Sequence, residues 1–230
     1  MMRSNSSYCF RRLAIFGAAL GAALALVGCG TTPLPPDSSV SNPPDYPATV
    51  PPAPQITPIP PRALGSALEL PDRSAFYQKD GRWAGESLGR SSDTIGSHGC
   101  LITATSMALA NLGFQTNPSD LNGRLTQVDG FTKNGWLIWD GIGKVTGGRA
   151  AAQYYDDVSE DIINSCMREG DYPLVQFYLK NGRSHWAVIL KRDARGYHMR
   201  DPLRESSVPL IFPRDSSAFK AVRCVGLAKV

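Results

Sequence analysis

The sequence predicts an α+β domain with helices packed on an antiparallel sheet, and two observations lead to it. Apolar residues recur at helical spacing from about residue 100 to 168, whereas Val, Ile and aromatic residues recur in short runs from 174 onward. The two patterns follow one another instead of alternating, which favours segregated helices and strands over βαβ units.

The first helix is expected over Leu101–Leu112, where Ile102, Met107, Ala108 and Leu112 fall at roughly helical spacing and Gly113 is placed to stop it. Asn117-Pro118 supplies a cap and a first-turn proline for a second helix through about Leu125. Trp136, Trp139 and Ile142 suggest a third. A fourth is expected over Val158–Arg168, with Asp157 and Glu160 at capping-box spacing and Gly170 closing it. Strands are expected over Leu174–Leu179, His185–Lys191, Tyr197–Asp201 and Val222–Val230, with turn signals at Asn181-Gly182 and Arg195-Gly196.

The chain has 230 residues, and its first part is of another kind. Arg3, Arg11 and Arg12 precede an apolar run from Leu13 to Val27, the layout of an export signal. Leu26-Val27-Gly28-Cys29 resembles the lipobox of bacterial lipoproteins. That resemblance implies a signal peptide over 1–28 and a lipid-modified Cys29. Arg11-Arg12 also fits a twin-arginine leader, and a plain secretory signal ahead of a chance cysteine is the other reading. Gly30 in place of Asp favours sorting to the outer membrane, facing the periplasm, by analogy with Gram-negative lipoproteins.

From residue 29 to 62 proline dominates, with few large apolar side chains. Such a segment cannot bury a core and should be a disordered tether of polyproline II character, reaching up to about 100 Å at roughly 3 Å per residue. The domain expected over 63–230 is then large enough for its own core. A net charge of +4 with 19% charged residues excludes a strongly basic nucleic-acid binder. A monomer is expected, held to the membrane through the N-terminal lipid.

Chemistry is suggested by three residues. Cys100 opens a helix, His185 begins a strand, and Asp201 ends the following strand, an order that can converge as nucleophile, base and orienting acid. A helix N-terminus and a neighbouring imidazolium both favour a thiolate. With a loop around Arg192–Ala194, Tyr197, Met199 and Asp201 share a sheet face with His185, Ala187 and Ile189, whereas a slip of one residue turns Asp201 away. His98, two residues from Cys100, is a rival base, and His198 should lie on the face opposite Asp201. Trp83, Trp136 and Trp139 read as core or groove aromatics. Gln176 reads as a polar group either near the site or satisfied on the sheet. The scheme requires neither metal nor cofactor.

The surrounding wording is more specific. Phe76-Tyr77-Gln78, then Asp80-Gly81-Arg82-Trp83, then Thr94-Ile95-Gly96-Ser97-His98-Gly99-Cys100-Leu101-Ile102-Thr103 resemble C39-like peptidases. Asn117-Pro118-Ser119-Asp120-Leu121-Asn122, Ser184-His185-Trp186-Ala187-Val188 and Asp201-Pro202 keep that family's order. The resemblance implies a papain-like cysteine peptidase fold and hydrolysis of a peptide or related amide through a thioester. Cys100, His185 and Asp201 match the family's catalytic residues, and Gln78 its oxyanion glutamine. Here about twenty residues separate Gln78 from Cys100, a longer gap than in the bacteriocin-processing branch. Leu-Ile-Thr follows the cysteine instead of Gly-Pro-Thr.

With Cys9 in the leader, Cys29 lipidated and Cys100 claimed by the chemistry, Cys166 and Cys224 remain as a possible disulfide in an oxidising compartment, or as two buried thiols. Peptides, including those of peptidoglycan, are the expected substrates. An inactive papain-like module binding envelope polymer or protein partners, and an amide acyltransferase using the same triad, are the competing readings.

Overall fold

The structure is a computed structural model that describes residues 68–212 and 216–229. The expected signal peptide, the expected lipidation site Cys29 and the proline-rich segment expected to be a tether lie outside the described residues. Mixed helices and a largely antiparallel sheet make up the fold. In chain order the elements are β1 (Leu68–Glu69), α1 (Ile95–His98), α2 (Cys100–Asn111), α3 (Pro118–Gln127), α4 (Asp140–Val145), β2 (Ala150–Tyr154), α5 (Glu160–Arg168), β3 (Tyr172–Tyr178), β4 (Ser184–Asp193), β5 (Gly196–Arg200), β6 (Leu210–Phe212) and β7 (Ala221–Leu227).

The sheet runs β2-β7-β3-β4-β5-β6, with β1 pairing the far end of β4. Segregation of helices from strands is therefore incomplete: β1 precedes the helices, and β2 lies between α4 and α5. Runs as short as Leu68–Glu69 or Leu210–Phe212, and the alanine-rich Ala150–Tyr154, carry little of the β-branched signal that marks strands.

The helix starts follow local hydrogen-bond chemistry. Asn117 caps α3, its side chain accepting from the backbone N–H of Asp120 at 3.0 Å, with Pro118 in the first turn. The cap of α5 is Ser159, not Asp157: its hydroxyl accepts from the N–H of Ile162, so the helix begins at Glu160. Trp136 lies outside α4, in the turn closed by the Phe131–Leu137 bridge.

α2 is buried along most of its length, with Ile102, Ala104, Met107, Ala108 and Leu109 in the core and β4 as its principal neighbour. Leu174, Val188 and Val225 are fully buried in the sheet, each worth about 1.5–3 kcal/mol relative to exposure. Cys166 on α5 and Cys224 on β7 form a disulfide with their Cα atoms 5.8 Å apart, leaving Cys100 as the free cysteine among the described residues.

Candidate active site

The site is assembled where the α1–α2 corner meets the end of the β4–β5 hairpin. Thr94 caps α1 in a reciprocal box with Ser97, each side chain accepting from the other residue's backbone N–H. Gly99 then joins α1 to α2. A Cβ at this position would meet the carbonyl oxygen of Ile95 at 2.5 Å, so only glycine lets the two helices follow so closely. The half-buried Cys100 therefore sits at the first position of a twelve-residue helix whose cap has no side chain to occupy the orphan N–H groups.

His185 is almost fully buried on β4. Its Nε2 lies 2.6 Å from Oδ1 of Asp201, and Cys100 is near enough to act on the ring electrostatically. Phe177, its cross-strand partner, packs edge-on at 5.3 Å between ring centroids. Burial alone would disfavour the imidazolium. The hydrogen bond to Asp201 and the charges of Asp201 and Cys100 outweigh it and raise the pKa to about 9. Burial would likewise raise Asp201, yet hydrogen bonds from His185 and the N–H of Leu203 hold its carboxyl below the ordinary range.

A bulge decides the register. At the hairpin end Asp193 faces Gly196, so the turn is Ala194-Arg195 and not the expected Arg192–Ala194 loop. Uninterrupted pairing from that turn would set Asp201 opposite Val188, on the face of Trp186. The register shifts between Ile189 and Lys191, where Leu190 is the extra residue, and farther along Val188 faces Arg200. Asp201 thereby follows onto the face of His185. The sequence contains no local signal for this bulge.

Gln78 is brought to the same place despite its distance along the chain. Its backbone N–H donates to the carbonyl of Pro202 at 2.8 Å, and its side-chain Nε2 donates to the carbonyl of Gly96 at 3.1 Å. The side chain is buried, and its Oε1 has no hydrogen-bond partner. Trp83 helps shape this segment: it is buried, its indole N–H donates to the carbonyl of Tyr77, and Arg82 stacks on its ring. A cleft opens beside Asp201, lined in part by Phe76, Tyr77, Met107 and Arg204.

The other histidines are engaged elsewhere. His98 is exposed, with Nδ1 3.1 Å from a carboxylate oxygen of Asp93. His198 lies on the face opposite Asp201, 3.0 Å from Asp193, whose carboxyl it helps hold well below the usual range. Gln176 donates to the hydroxyl of Ser184 at 2.7 Å. Trp139 touches Trp186 and Tyr154, whereas Trp136 projects into solvent. Among the described residues no cluster of His, Cys, Asp and Glu could hold a metal ion, and no helix is long and apolar enough to cross a membrane.

No family model matches the chain, and no curated protein matches it. A crystal structure of a candidate C39-like peptidase from Bacillus anthracis is similar at 16% sequence identity, with a TM-score of 0.48 over 71% of this chain and 100% of that one.

Proposed function

We propose that this chain is a papain-like cysteine peptidase of the cell envelope, hydrolysing a peptide or peptide-like amide with Cys100 as nucleophile, His185 as general base and acid, and Asp201 as the orienting carboxylate. The observation that carries the reading is the buried imidazole of His185, hydrogen-bonded to the carboxylate of Asp201 and held in its charged form by Asp201 and the helix-starting Cys100. A histidine that holds its proton at neutral pH is the partner a cysteine needs to react as a thiolate.

In the proposed cycle the Cys100 sulfur attacks the substrate carbonyl, and the oxyanion is met by the backbone N–H of Cys100 and the side-chain amide of Gln78. One proton of that amide is committed to Gly96, which fixes the amide plane and leaves the second free. His185 gives its proton to the leaving amine, producing a thioester. It then takes a proton from water as that water attacks the thioester, releasing the acid and restoring the thiolate. Asp201 keeps the ring oriented throughout. With the signal peptide removed, the acylated Cys29 and the tether would hold this domain off the outer membrane within reach of cell-wall peptides, as a monomer.

The test is the alkylation rate of Cys100 against pH in the full-length chain beside His185→Ala. Labelling that begins well below the ordinary thiol pKa of about 8.5 and disappears in His185→Ala is expected. Slow labelling that is equal in both proteins would overturn the reading.

A further inference from the structure

The imidazole of His185 is tied to its carboxylate at a single atom. Its Nε2 lies 2.6 Å from Oδ1 of Asp201, and that oxygen also accepts from the N–H of Leu203 at 2.8 Å. A bond at one ring atom fixes that atom and leaves the plane free to tilt about it, because the terminal torsion of a histidine is broad and roughly two-fold. A half-turn about Cβ–Cγ would set Cε1 against Asp201 in place of Nε2. A second contact is needed to set the plane.

Phe177 supplies it. On β3 it stands directly opposite His185 of β4, so the two side chains leave the sheet on the same face. Their ring centroids lie 5.3 Å apart at an interplanar angle of 88°, within the range of an edge-to-face pair. Both residues are buried. Phe177 in turn packs on Phe212 of β6 at 5.7 Å and on Phe219 at 6.3 Å, and those two rings stack at 5.0 Å. A ring packed against two others has little room to yield when the imidazole tilts.

We propose that Phe177 is a positioning residue for His185: its perpendicular ring fixes the plane of the imidazole, so that the ring bonded to Asp201 stays aligned with Cys100. The consequence for catalysis rests on the peptidase reading, whereas the contact between the two rings does not. Phe177 acts through His185 and takes no part in bond making.

The test uses the full-length chain with Phe177→Leu, Phe177→Met and Phe177→Tyr. Beside them stands Phe219→Leu, which removes a ring from the same cluster and leaves the Phe177–His185 contact in place. Two signals are followed: the alkylation rate of Cys100 against pH, and the proton NMR signal of the Nε2–H shared with Asp201, identified by its loss in His185→Ala. In Phe177→Leu and Phe177→Met that signal should broaden, and labelling at neutral pH should slow about tenfold with its onset moved up in pH. Phe177→Tyr, which keeps the ring, should restore both. Phe219→Leu should label like the parent although its unfolding temperature falls as far as that of Phe177→Leu. Labelling that is fast in the parent and unchanged in Phe177→Leu and Phe177→Met would overturn the positioning role, as would an equal loss in Phe219→Leu or in Phe177→Tyr. A parent that labels slowly and independently of His185, while the Nε2–H signal still broadens in Phe177→Leu, would overturn the peptidase reading and leave the positioning standing.

Discussion

The guanidinium of Arg183 donates to the backbone carbonyl of Ser97 at 2.9 Å, joining residues 86 positions apart. Arg183 lies two residues before His185 and Ser97 three residues before Cys100, so this surface contact spans the two walls of the candidate site. Replacing Arg183 with Ala should slow Cys100 labelling several-fold while changing stability by no more than about 0.5 kcal/mol, because both groups are exposed. Labelling rate and urea unfolding, measured on the same sample, check both halves.

Deleting Leu190 should remove the bulge and leave Val188 opposite Arg200, so that Asp201 stays on the face of His185 and Cys100 labels as in the parent. Inserting one alanine between Arg200 and Asp201 should instead carry the carboxylate to the other face and give the labelling profile of Asp201→Asn, with far-UV dichroism still reporting a folded sheet. An insertion variant that labels like the parent would show that the register at Asp201 does not set the site.

The alkaline limb of hydrolysis should report His185. Its pKa is raised to about 9, so the imidazolium that protonates the leaving amine persists through neutral pH and is lost as pH climbs through 9. In Asp201→Asn that limb should move toward the ordinary imidazole range, with kcat/KM lower by about 100-fold or more. An unmoved limb would assign it to another group.

Asp171 gives stability a pH dependence of its own. Burial raises its carboxyl to about 6, above the ~3.9 of an unfolded chain, so between those values the folded protein holds the extra proton. The stabilisation is complete below about pH 4 and is lost as pH rises through 6, by up to about 3 kcal/mol. Asp171→Asn should flatten that slope in urea unfolding. Gly226 is its structural counterpart: an added Cβ would lie 1.7 Å from Oδ1 of Asp171, and Gly226→Ala should cost about 3 kcal/mol.

The disulfide closes a separation of 58 residues, for which chain entropy gives about 4 kcal/mol. Reduction, or Cys166→Ser with Cys224→Ser, should lower the unfolding free energy by up to that amount.

Long, strongly patterned elements were legible in the sequence. α2, α3, α5 and the strands β3, β4, β5 and β7 fall within a few residues of their expected positions, because each combines apolar periodicity with a cap or turn signal. Three features escaped for different physical reasons. β1, β2 and β6 are strands by virtue of their partners. The bulge at Leu190 is a register event that only the paired strand reveals. The contacts of Gln78 with Gly96 and Pro202 join segments brought together by the whole fold. Residue types at the candidate site could be read from the motifs, whereas the hydrogen bonds between them depend on tertiary geometry.

β7 is the last strand in chain order but lies inside the sheet, hydrogen-bonded to β2 on one side and β3 on the other. A nascent chain ending before Ala221 therefore exposes two unpaired strand edges and lacks the Cys224 partner of Cys166. The sheet closes only when Ala221–Leu227 are in place, which makes the folding rate subject to long-range closure. A product that lacks β7 should be cleared or should aggregate, because the edges of β2 and β3 are then left open together.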